Sequence, residues 1–207
     1  MTPDAIEALF TRDSGDYVFA RWGRPLAPVV FGVEEETLTL IKGAVEAVCH
    51  LAGHEMAETD PELGSNFMWF FVRDWNDLRG VPDLDRLVPD LANLLTRLEA
   101  AEANQYRIFR FDESGAIQAC FVFLRMDEAL SAMPAEGLAL GQVAQSMLLW
   151  SDLAFRQQAI LAQAEGKLLL RPDISDVIRV AYDPVLPAAA QDKSHALRLA
   201  ARIGRPQ

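Results

Sequence analysis

The stretch CHLAGHEMAE, residues 49–58, sets His50, His54 and Glu58 at intervals of four. All three side-chain types bind zinc. On one continuous helix that spacing would stack them on a single face. The chemistry this pattern would serve is metal-assisted hydrolysis. Gly53 argues against it, because glycine takes the left-handed helix stop at little cost. His50 then falls on the last helical turn, where a basic group suits the helix dipole. His54 lies past the stop, and HEMAETD reads as a strand. The three groups need not converge, and HExxH is absent because residue 58 is glutamate.

Other chemistry is sparse. The chain lacks GxSxG, a P-loop and GxGxxG, and its two cysteines form no CxxC pair. Cys49 and Cys120 have apolar neighbours and read as small buried hydrophobes, with a mutual disulfide left open. ETDPE at 58–62 gathers Glu58, Asp60 and Glu62 but lacks the alternating oxygens and turn glycine of a calcium loop. It reads as a solvated acidic loop. His195 stands alone in a final helix and reads as surface or packing. These residues assign no cofactor.

The chain that must position such groups has 207 residues, 51% hydrophobic and 24% charged, with a net charge of −11. That composition suits a globular fold, and the length suits one domain with a 1–20 helical segment ahead of a 21–203 core. Basic residues are dispersed, so neither nucleic acid nor an anionic membrane is an expected partner. No apolar run reaches membrane-spanning length. The N-terminus carries no secretory signal as written, so the chain reads as cytoplasmic unless a leader was removed.

Periodicity supplies the elements. TPDAIEALF reads as a helix with Thr2 as N-cap. PLAPVVFGV reads as a strand at a sheet edge, because of Pro25 and Pro28. Leu38, Ile41, Val45, Val48 and Ala52 form a helical stripe after Glu34–Glu36. NFMWFFV is apolar throughout and reads as a central strand. Leucines from Leu84 to Leu98 predict a helix that Pro89 starts or kinks. QYRIFRF and AIQACFVFL flank Gly115 as a hairpin. LALGQVAQSMLLWSD is helical, RQQAILAQAEGKLLL extends it or forms a separate element, and DISDVIRVAYDPVL is a helix ended before Pro184. The tryptophans Trp22, Trp69, Trp75 and Trp150 are expected mainly in the core.

The order of elements is similar to that of zincin-type metallopeptidases, whose helix after the hairpin bears HExxH. Within it, RWGRPLAPVVFG, HLAGHEM, GSNFMWFFV, GQVAQSMLLWSD and DISDVIRVAYDPVL resemble a proteobacterial domain-of-unknown-function family catalogued as twenty-nine twenty-seven. The likeness runs from about Arg21 to Arg202. It implies an α/β (α+β) fold, a mixed sheet with packed helices in zincin-like topology. The zincin ligand positions fall on Gly141, Gln145 and Ser151, and the general-base position on Gln142. The family shows two acids where this chain has Gly141 and Gln142, although Gln145 and Asp152 are kept. An amide is a poor zinc ligand and no base. The resemblance therefore implies a non-catalytic pseudo-peptidase, with Gln142, Gln145 and Asp152 at a cleft that holds a peptide, protein or small ligand. The alternatives are a metal-dependent hydrolase built on His50, His54 and Glu58, and a structural or assembly protein.

Overall fold

The apolar run at residues 67–72 becomes a strand buried on both faces, and the rest of the molecule is arranged around it. The structure, a computed structural model, describes residues 1–164 and 166–203. Along the chain lie α1 (Pro3–Phe10), β1 (Phe19–Ala20), β2 (Pro28–Phe31), α2 (Glu35–Ala52) and β3 (Phe67–Val72). A 3-10 helix (Trp75–Gly80), α3 (Leu84–Leu87) and α4 (Leu91–Ala100) precede the hairpin of β4 (Gln105–Phe111) and β5 (Ile117–Arg125). Then come α5 (Glu128–Ser131), α6 (Ala135–Met147), β6 (Leu161–Ala164), β7 (Lys167–Leu170), α7 (Pro172–Ala181), β8 (Ala189–Ala190) and α8 (Ser194–Ile203).

The main sheet has the order β2-β3-β5-β4. Its β2, β3 and β5 run parallel, and β4 returns antiparallel to β5 at the edge. Side chains alternate across the pleat. Phe67 and Trp69 of β3 enter the core under α2, α6 and α7, while Met68 and Phe70 enter a second core under the 3-10 helix and α4. The two faces are thus covered by different helices, and a strand with no polar face is the result. This is a mixed α/β arrangement of one mixed sheet with packed helices.

Local signals predict several boundaries well. Thr2 caps α1, its hydroxyl accepting from the Ala5 N–H at 3.2 Å. Gly53 closes α2 at φ 63°, its N–H on the Cys49 and His50 carbonyls. Of the stripe on α2, Ile41, Val45, Val48 and Ala52 are buried, while Leu38 is exposed. Pro89 does interrupt the leucine helix, and the chain restarts as α4 after Asp90 at φ 60°. β2 is the other edge strand, as its prolines predict.

Three expectations fail in whole or in part. HEMAETD is not a strand: Met56 makes one isolated bridge to Leu26, and Asp60 turns back on Gly64. LALGQVAQSMLLWSD is helical only as far as Met147, and of the two readings of RQQAILAQAEGKLLL the separate element holds, with β6 paired antiparallel to β7. The ETDPE loop is not wholly solvated, since Asp60 is buried. All four tryptophans are in the interior. Cys49 and Cys120 are buried free thiols, and burial pushes both pKa values up to about 12. Neither is a nucleophile near neutral pH.

Candidate functional site

The hairpin and α6 together build a cavity with both charged and aromatic lining. In β4 the pleat sends Gln105, Arg107 and Phe109 toward α6, with Tyr106 and Ile108 on the opposite side against α4. Arg107 Nη2 donates to Gln142 Oε1 at 2.5 Å, and Gln142 Nε2 donates to Gln105 Oε1 at 2.8 Å. Gln142 is 3% exposed. It is a tether for Arg107 rather than a group open to ligand.

Past Arg107 lies a pocket of about 430 Å3. Gln145 and Asp152 line it, with Arg12, Arg107 and Arg156. Phe109, Trp150 and Phe155 form its apolar walls. Trp150 is held from two sides: its ring stacks on Phe10 at 5.3 Å and its Nε1 donates to the Ala144 carbonyl at 3.1 Å. Arg12 Nη1 donates to the Trp150 carbonyl at 2.9 Å. Arg156 reaches Asp152 at 3.7 Å. Arg107 has no carboxylate within salt-bridge distance among the described residues, and its Nε is buried without a partner. Burial lowers the Arg107 pKa, yet guanidinium starts so high that it stays protonated.

Two of the three cleft residues expected from sequence thus share one pocket, and the third orients a cation in its wall. Gly141 lies beneath the β6–β7 hairpin, where a Cβ would meet Leu161 at 3.5 Å. Ser151 turns inward, its hydroxyl donating to the Thr11 carbonyl at 2.6 Å. Gly141 is away from the pocket, and Ser151 lines it with its hydroxyl already engaged. Sequence reasoning missed Arg107. The signal was present, because strict alternation in QYRIFRF puts an arginine on the face turned toward the core.

The histidines do not assemble. His50 is exposed on the last turn of α2. His54 Nε2 donates to the Arg24 carbonyl at 2.9 Å, and its ring lies 4.9 Å from Tyr182. Glu58 is exposed in the following loop. Among the described residues no three His, Cys, Asp or Glu side chains are grouped as a metal ion requires. No helix among them is long and apolar enough to cross a membrane.

His195 is packing, 2% exposed, with Nδ1 sharing a hydrogen bond with Tyr17 Oη at 2.9 Å. Burial, then Arg198, Arg202 and Arg21, push its pKa down from 6.5 to about 4. Between those values the unfolded chain takes up a proton that the native chain refuses. Stability is therefore full above the unfolded value and falls as pH drops toward 4. Unfolding in urea should show a loss of about 2–3 kcal/mol between roughly pH 7.5 and 4.5. His195→Gln should flatten that slope, and an unchanged slope would assign the acid sensitivity elsewhere.

No protein-family model, no curated protein and no solved structure matches this chain.

Proposed function

We propose that the protein is a non-catalytic binding protein of zincin-like design. In this reading the pocket beside Gln145 and the outer edge of β4 together hold an extended peptide or a small ligand. One observation carries it. Among the described residues β4 ends the sheet order with no strand on its outer side, and Arg107 and Phe109 on that strand wall the same pocket as Gln145 and Asp152. An edge strand offers unpaired backbone N–H and C=O groups to an extended peptide, and a neighbouring pocket selects a side chain. The zincin-like comparison draws support from position: α6 follows the hairpin, as the helix bearing HExxH does in that order of elements. The residues at its ligand and base positions argue against catalysis. Gly141 has no side chain, Gln142 is an amide already bonded twice, and Ser151 is turned inward.

The test is incubation of the full chain with a degenerate library of extended heptapeptides. Hydrogen exchange should slow in β4, and mass spectrometry should find the peptides intact. Cleavage that a chelator stops would sink the non-catalytic assignment. Unchanged exchange in β4 together with unchanged Trp150 fluorescence would sink the binding assignment.

A further inference from the structure

The charge around this pocket is opposite to that of the chain. Three arginines and one aspartate line it, whereas the whole molecule carries −11. A local field of that sign concentrates anions. The three guanidinium groups are not equivalent. Arg156 is drawn to Asp152, and Arg12 is turned to the Trp150 carbonyl. Arg107 is different: its one side-chain partner is the neutral amide of Gln142, and its Nε has none. A part-buried cation without a counter-ion is costly, and it is the group whose charge a ligand would complete. The bond to Gln142, itself braced by Gln105, fixes the guanidinium without neutralising it.

We propose that the pocket is a carboxylate-recognition site, with Arg107 as the ion-pairing group and Gln142 as its positioning residue. A planar carboxylate suits the guanidinium fork. Phe109, Trp150 and Phe155 provide the place for an aromatic or apolar body attached to it. This proposal rests on the reading of the pocket as the binding site. The carboxylate could belong to the C-terminus of a peptide laid along β4 or to a free aromatic acid; the chemistry recognised is the same.

Calorimetric titration of the full chain tests it with four probes. These are 3-phenylpropionate, its neutral amide, and one acetylated heptapeptide ending in Phe with its C-terminus either free or amidated. At least one acid should bind at least ~10-fold more tightly than its amide, and its affinity should fall as salt rises. A response to 3-phenylpropionate identifies a free acid, and a response to the free heptapeptide alone identifies a peptide C-terminus. Gln142→Glu, nearly isosteric, places a carboxylate on Arg107 from within. It should abolish the preference for acid over amide while leaving the melting temperature intact or higher. Arg107→Gln should do the same, and Arg107→Lys should restore part of it. Equal affinity for acid and amide would overturn the carboxylate assignment and leave the binding reading standing. If neither acid binds, the assignment also falls, and exchange in β4 decides the binding reading separately.

Discussion

Asn66→Leu should destabilise the protein by about 4 kcal/mol, from lost hydrogen bonds in the interior together with overpacking. Asn66 is 0% exposed. Its Oδ1 accepts from the Ala27 N–H at 2.8 Å, and its Nδ2 donates to the Pro25 carbonyl at 2.9 Å and to Asp60 Oδ2 at 3.0 Å. Leucine branches at the same carbon but is larger and can make none of these bonds, so the buried Ala27 N–H loses its partner, Asp60 loses one of its donors and the site is overfilled. Asp60 feels it most. Burial works to raise its pKa, but the N–H groups of Leu63 and Glu62, the Asn66 amide and the Arg24 guanidinium outweigh burial and hold it below the usual carboxylate range. Removing the amide therefore makes the loop sensitive to acid at a higher pH, because the native preference for the ionised carboxyl is smaller. The same amide closes the start of β2 onto the start of β3, where Pro28 pairs with Phe67. Urea unfolding checks the figure. A loss under about 1 kcal/mol would mean that water replaces the amide and the network is not dry.

Trp22→Ala should cost about 4–5 kcal/mol. Trp22 is fully buried, packs edge-on against Phe67 at 5.7 Å, and donates from Nε1 to the Ser146 carbonyl at 2.9 Å. That carbonyl belongs to the last turn of α6, whose terminal C=O groups have no partner within the helix. The substitution therefore leaves a cavity and strips a helix terminus together. Trp22→Phe separates the two, and it should cost about 1–2 kcal/mol for the lost hydrogen bond and the smaller ring. Since Gln145 stands on that same turn, any ligand of the pocket should bind Trp22→Phe more weakly than wild type. If Phe and Ala variants unfold at the same denaturant concentration, the hydrogen bond outweighs the packing and the ranking above is wrong.

The candidate site was half legible. Gln145 and Asp152 were found through the helix after the hairpin, and both line the pocket. Gln142 was placed on the right element, but its contact with Arg107 reverses its part, from pocket floor to tether. An acidic run such as ETDPE reads as solvated, yet Asp60 is buried, because the Glu62 and Leu63 N–H groups bind it locally and two further side chains complete its shell. Its partners Arg24 and Asn66 come from a different loop and from the start of β3.

What the amino-acid sequence determined by itself was local: the Thr2 cap, the Gly53 stop, the break at Pro89, the hairpin around Gly115 and the doubly buried strand at residues 67–72. Each depends on residues within a few positions of one another, so propensity, capping and periodicity suffice. The fate of HEMAETD, the pairing of β6 with β7 and the convergence of Arg12, Arg107, Gln145 and Trp150 on one pocket were decided only by tertiary structure. Short segments with weak periodicity take their conformation from what packs on them. A pocket lined from three separate stretches of the chain is set by sheet order and helix docking, which no local pattern encodes.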